Sequence, residues 1–178
     1  YTKVPVKAKT RIGGSGSKLE SSIQEVLQKC NAHDGMTISF HHHFREGDLV
    51  VMQVMNIIHE LGYKDITICA SSLSKAQDDL VPMIEDGTVT HIETSGVRGK
   101  IGEAISEGKL KGIAILRSHG GRVRAIETGE TKIDIAFIGA PSCDEYGNCR
   151  GVGGNSNCGV LSYAAIDAEY AENVVVLT

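Results

Sequence analysis

The chain predicts an α/β protein of three layers, with helices on both faces of a largely parallel sheet. Three observations carry that expectation. Short runs rich in β-branched residues alternate with helical patterns along the whole chain, and the connections between them are short. One run, Gly112–Leu116, is apolar at nearly every position, as a strand covered on both faces in the middle of a parallel sheet would be.

The elements follow in order. Residues 1–11 are basic and without a strong period, an arm or an edge segment. Ile12-Gly13-Gly14-Ser15-Gly16-Ser17 is a loop that could cradle a phosphate or serve as a linker; it is neither a Walker sequence nor a complete dinucleotide fingerprint. Leu19–Lys29 has a helical pattern with Leu19, Ile23, Val26 and Leu27 on one face. Met36–Phe40 is the first strand. The loop from Ser39 to Asp48 then leads into a long apolar helix, Leu49–Leu61, with Asp48 as its N-cap and Gly62 just past its end. Only Gln53, Asn56 and Glu60 form a polar stripe on that helix, so it belongs deep against the sheet.

Asp65–Ala70 is the second strand, Lys75–Asp86 a helix stopped by Gly87, Val89–Glu93 the third strand and Gly99–Glu107 a short helix. Gly112–Leu116 is the fourth strand and Ile133–Ile138 the fifth; a helix from about Leu161 to Tyr170 leads to a last strand at Val174. The chain has no initiator Met and stops inside that apolar strand, so it is expected to be a single domain, residues 1–178, forming the N-terminal half of a longer subunit.

Composition sets the outer bounds. The 178 residues, 41% hydrophobic and 22% charged, suffice for one α/β domain with a real core. A net charge of −4 gives no field for general nucleic-acid binding, and no apolar run approaches a membrane span. Five cysteines, an odd number at irregular spacings, argue for reduced thiols in a cytoplasmic setting. Cys143, Cys149 and Cys158 match no familiar zinc spacing and read as small structural residues.

Three stretches carry possible chemistry. Ser39-Phe40-His41-His42-His43-Phe44-Arg45-Glu46-Gly47-Asp48 lies between a strand end and a helix start, where α/β folds bind ligands. Its histidines could be metal ligands, with His41 and His43 on one face and His91 or His119 completing the set. They could form a solvated turn. Or, with Arg45 and the amides of the helix start, they could gather around an acyl or carboxylate group. Arg117-Ser118-His119-Gly120-Gly121-Arg122 follows the fourth strand and could contact an anion or be a solvated turn. Gly139–Gly159 is a long irregular stretch after the fifth strand, whose glycines and asparagines can aim backbone amides at a ligand.

The order of strand, Ser39–Gly47 loop, long helix and Ile66–Ser71 strand resembles the opening of the CoA-transferase fold. Asp134-Ile135-Ala136-Phe137-Ile138-Gly139-Ala140 with Asp144-Glu145-Tyr146-Gly147-Asn148 resembles a later strand and turn of that superfamily. The words from Ser39 to Asp48 and from Gly153 to Cys158 are, more specifically, similar to the alpha subunit family of citrate lyase, the citrate CoA-transferases.

That resemblance implies a three-layer αβα fold of CoA-transferase type. It implies exchange of acetyl for citrate on a thioester, held by an acyl carrier protein or by acetyl-CoA, giving a citryl-thioester and acetate through a mixed anhydride. It implies no metal and no tightly bound cofactor, a cytoplasmic location, and citrate, the carrier protein, a citryl-cleaving lyase subunit and the second half of the same subunit as partners. The catalytic candidates it implies are His41, His42, His43, Arg45 and Glu46, with an Arg45–Glu46 ion pair as the plain alternative for the last. Ser39, Phe44, Gly47 and Asp48, together with Gly139, Ala140, Asn148, Gly153, Gly154, Asn155 and Asn157, are implied to line the substrate or the CoA arm. A non-catalytic domain of the same fold that senses a sugar phosphate is the alternative.

Overall fold

The computed structural model describes residues 1–7, 18–42 and 44–178. Helix α1 (Ile23–Lys29), strand β1 (Thr37–Phe40) and helix α2 (Val50–Glu60) open the fold, with a 3-10 turn at Arg45–Gly47 between β1 and α2. Next come β2 (Ile66–Ala70), a 3-10 segment Lys75–Leu80 that runs into α3 (Val81–Glu85), β3 (Val89–Thr94) and α4 (Gly99–Ser106). The chain continues through β4 (Ala114–Leu116), α5 (His119–Glu127), β5 (Ile135–Gly139), the short pair β6 (Ser142–Cys143) and β7 (Cys149–Arg150), α6 (Ala164–Tyr170) and β8 (Asn173–Leu177).

The main sheet has six strands in the order β4-β3-β2-β1-β5-β8, each adjacent pair parallel. The α/β, three-layer expectation holds. The chain builds outward from β1 through β2 and β3 to β4, then returns to the other side of β1 with β5. The order therefore reverses between β1 and β5, which puts a crevice beyond their carboxyl ends.

The two faces are covered unequally. Ile38, Phe40, Ile66, Ile68, Ile92, Ile135 and Phe137 point to a large apolar core shared with Leu27 of α1, Val51, Val54, Met55 and Ile58 of α2, Leu80, Met83 and Ile84, and Ile101 of α4. Phe40 and Phe137 stack across β1 and β5, with ring centroids 5.9 Å apart, and bury the sheet beneath the crevice. On the other face α5 and α6 cover the β5–β8 side, with Ile126, Ile133, Ala136 and Ala171 as a smaller core. Thr37, Thr67, His91 and Glu93 line an open cavity of about 240 Å³ on the uncovered part of that face.

Three expectations need correction. The Gly112–Leu116 run forms β4 at the edge of the sheet, not its centre, and Ile113 and Leu116 are more than half exposed. The Arg117–Arg122 stretch is no turn: Ser118 caps α5 by accepting from the Gly121 N–H at 3.1 Å, and the helix begins at His119. Leu19 stands outside α1 and is exposed; the helix begins after Ser22, whose hydroxyl accepts from the Glu25 N–H. The Gly13–Ser17 loop lies outside the described residues.

Candidate functional site at the carboxyl ends of β1 and β5

The loop after β1 is built around two inward anchors. His41 is 6% exposed, and its Nε2 lies 3.2 Å from Oδ2 of Asp167, a fully buried carboxylate on α6. Arg122 of α5 donates to both oxygens of Asp167, at 2.8 and 2.7 Å, and is itself 3% exposed. Burial by itself would push the Asp167 carboxyl up, but His41 and Arg122 outweigh it and hold the group well below the usual carboxylate range. Asp167 is thus ionised, gripped in a planar two-bond pair from one side and by an imidazole from the other. Cys69 of β2 lies against the same arginine, and burial pushes its thiol up to about 12.

Asp48 is the second anchor. It is 3% exposed; one carboxylate oxygen accepts from the Val50 N–H at 3.1 Å and the other from Nε2 of Gln77 at 3.1 Å. The carboxylate therefore ties the start of α2 to the 3-10 segment beside it, while Leu49 takes the formal N-cap position. Gly62, at φ +81°, closes the other end of α2 as its sequence position implies.

Between these anchors His42 faces outward. Its backbone N–H donates to the Ser71 hydroxyl at 3.1 Å, and its Nδ1 lies 2.6 Å from the same oxygen. A hydroxyl that accepts from the backbone still has its own proton to give to Nδ1, and in that tautomer the Nε2 proton is the outward donor. Burial lowers the His42 pKa, and the nearness of the basic groups His119, Arg45 and His41 lowers it further. The imidazole is neutral at pH 7, and three basic neighbours converge on it. His119 begins α5 and lies against the ring of Tyr163, centroids 5.0 Å apart.

The remaining candidates divide by place. Arg45 is exposed, at φ +54°, in the turn that follows His42; no ion pair joins it to Glu46 among the described residues, and Glu46 instead accepts from the Ser74 hydroxyl at 3.3 Å. Gly47 is exposed, and Ser39 is fully buried on β1, facing the α5–α6 layer. His43 lies outside the described residues. Phe44 packs against Gly139: a Cβ there would come within 2.7 Å of the Phe44 ring and 2.9 Å of Val50. Gly139→Ala is therefore expected to push the β1 loop outward at a cost of about 1–3 kcal/mol, read as a lowered unfolding midpoint. Ala140 is buried, its N–H donating to the Leu177 carbonyl at 2.9 Å.

The stretch beyond Ala140 is regular only at its start, and residues 151–159 form neither helix nor strand. β6 and β7 pair as an antiparallel hairpin whose turn is held by the Asp144 carboxylate, which accepts from the N–H groups of Tyr146 and Asn148 and from the Asn148 amide. Asn148 thus makes its bonds within the turn. Gly153, at φ +98°, donates to Oδ1 of Asn157 at 3.0 Å, Asn155 is exposed, and Gly154 packs so closely on Pro141 that a Cβ would fall 1.9 Å from the Pro141 carbonyl oxygen.

Asp167 carried no signal in the sequence, whereas Arg122 lay in a stretch expected to contact an anion and meets instead this buried carboxylate of the same chain. Among the described residues no group of three or more His, Cys, Asp or Glu side chains could hold a metal ion, and no helix is long and apolar enough to cross a membrane.

The sequence model of the citrate lyase alpha subunit matches residues 16–178. The chain belongs to the citrate lyase alpha subunit family. The citrate lyase alpha chain of Haemophilus influenzae is 47% identical over 178 residues, covering all of this chain and 36% of that one. The Escherichia coli citrate lyase alpha chain is 48% identical over 161 residues, 90% of this chain and 32% of that one. A Streptococcus mutans crystal structure described as an alpha subunit of citrate lyase in complex with citrate matches at a TM-score of 0.94 and 50% identity, covering 99% of this chain and 34% of that one. The chain thus spans about a third of the length of its citrate lyase relatives. A decarboxylase, AibA/AibB, matches at a TM-score of 0.51 and 15% identity, which concerns the fold alone.

Proposed function

We propose that this chain supplies the thioester-facing half of a citrate:acyl-thioester exchange site. Acetyl held on an acyl carrier protein or on CoA is replaced by citrate, giving a citryl-thioester and acetate, within a citrate lyase complex whose lyase subunit then cleaves the citryl group. The observation that carries this reading is the outward, neutral His42, fixed by Ser71 and ringed by Arg45 and His119 at the carboxyl end of β1. The match to a relative solved in complex with citrate supports the choice of acid.

Chemically, a citrate carboxylate oxygen attacks the acetyl carbonyl and expels the thiolate, forming a mixed anhydride. The thiolate then attacks the citryl carbonyl and acetate leaves. Each step passes through a tetrahedral oxyanion. The His42 Nε2–H is a donor suited to that charge, and the neighbouring Arg45 guanidinium and His119 ring suit a substrate with three carboxylates. A thioester is already activated, so this route asks for no Lewis acid. His41 is too buried to touch substrate; with Asp167 and Arg122 it is a positioning residue that fixes where the loop emerges. The remainder of the subunit completes the pocket.

Arg45 is assigned to a citrate carboxylate, which a planar guanidinium grips through two parallel bonds that lysine does not reproduce. Arg45→Lys in the full-length subunit is expected to lower kcat/KM for citrate about 30- to 150-fold with an unchanged thermal melt. The test of the function itself is the exchange assay: purified full-length subunit, acetyl-CoA and citrate, with acetate and citryl-CoA measured together. Sugar-phosphate binding without exchange would replace this reading by a sensing role.

A further inference from the structure

The hairpin after β5 sets two thiols opposite each other. Cys143 and Cys149 are register partners across β6 and β7; both are free and half-buried. The Asp144 N–H donates to the Asn148 carbonyl at 3.0 Å, so the neighbouring pair of residues is hydrogen-bonded. Bonded and non-bonded pairs alternate along an antiparallel ladder, which makes Cys143/Cys149 a non-hydrogen-bonded pair, with Cα atoms about 4.5 Å apart and side chains at their closest. That separation lies within the span of about 4.4–6.8 Å that a disulfide bridges. The pair is also held in place: the Asp144 carboxylate clamps the turn with three bonds, and Gly147, at φ +91°, closes it. An open cavity of about 320 Å³ lined by Ser142, Cys143, Asp144, Asn148, Cys149 and Arg150 gives small reagents access.

We propose that Cys143 and Cys149 form an oxidative modification site, closing to a disulfide under a peroxide. One thiolate attacks a peroxide oxygen, giving a sulfenic acid and releasing hydroxide. The second thiolate attacks the sulfenic sulfur and expels a second hydroxide. Two thiols lose two protons and two electrons in all, and one hydrogen peroxide becomes two waters. Because β6 and β7 are already paired, closure needs no strand rearrangement, and it staples the hairpin at the end of β5. Burial raises both thiols above their ordinary range, so the thiol form prevails at neutral pH and the reaction quickens as pH rises. Cys69, buried and pushed up to about 12, takes no part. This inference is independent of the exchange reaction.

The test is peptide mapping of the full-length protein by mass spectrometry without reduction, after treatment with a small excess of hydrogen peroxide. The expected result is a Cys143–Cys149 linkage, a loss of two thiols per chain reversed by dithiothreitol, and a rate rising about tenfold per pH unit below the thiol pKa. In Cys149→Ser the linkage is absent and Cys143 proceeds to the sulfinic acid. Linkage of either residue to Cys158 or to a second molecule overturns the proposal. So does oxidation of Cys143 at the same rate and to the same product in wild type and Cys149→Ser, and so does survival of both thiols under conditions that oxidise free glutathione.

Discussion

Replacing Asp167 with asparagine is expected to destabilise the fold by about 3–5 kcal/mol, the cost of leaving a buried guanidinium without its counter-charge. The reason lies in the burial of both partners, at 0% and 3% exposure, and in the two short bonds between them. Such a loss is a large part of the 5–15 kcal/mol, roughly, that holds a domain folded. Urea unfolding of Asp167→Asn beside wild type measures it. The double replacement Asp167→Leu with Arg122→Met removes both charges and should recover much of the lost stability. It should not recover exchange activity, because His41 then lacks the carboxylate that orients it. The pH dependence follows from the direction of the shift. The folded-state carboxyl titrates lower than the unfolded one, so its contribution is fully present above about pH 3.9 and is lost as pH falls through the folded value. Loss of less than 1 kcal/mol in Asp167→Asn would mean that the cluster does not hold α5 and α6 together.

His42→Ala in the full-length subunit is expected to lower kcat for exchange about 10²- to 10³-fold with the fold intact, as removal of one preorganised oxyanion donor does. His42 is half-exposed and its bonds run to Ser71, so truncation opens no large cavity in the core. The neutral ring is the competent form. Because burial and neighbouring positive charge lower its pKa, the acid limb of the rate profile should fall below the ordinary histidine value of about 6.5. A profile with its limb above that value, or unchanged kcat in His42→Ala, would remove this residue from the chemistry.

The parts of this molecule that sequence made legible are those decided locally. The α2 pattern, with Gln53, Asn56 and Glu60 on the exposed stripe and Gly62 past its end, is a strong helical period, and the structure follows it. The strand–loop–helix order around His41–Asp48 marks a ligand-binding position in any α/β sheet, and the β1/β5 reversal of strand order puts that loop beside the crevice. What escaped depends on partners distant in the chain. Arg122 stands in a stretch that could contact an anion, but its partner Asp167 lies 45 residues away, sits in no motif and on an amphipathic helix reads as a solvated charge. Helix α5 opens with His119-Gly120-Gly121, a poor helical start by propensity, and packing against α6 with the Ser118 cap overrides it. β4 misleads for the opposite reason, since apolar residues on an exposed edge look like those of a central strand. The division of the histidine run, His41 inward and His42 outward, follows from strand alternation; the depth of each does not.

The most direct test of the central claim is a crystal structure of the full-length protein with citrate bound. Citrate is expected in the crevice beyond β1 and β5, with carboxylate oxygens within about 3.2 Å of the His42 Nε2 and of the Arg45 guanidinium. Citrate bound elsewhere, with His42 and Arg45 facing only solvent, would contradict it.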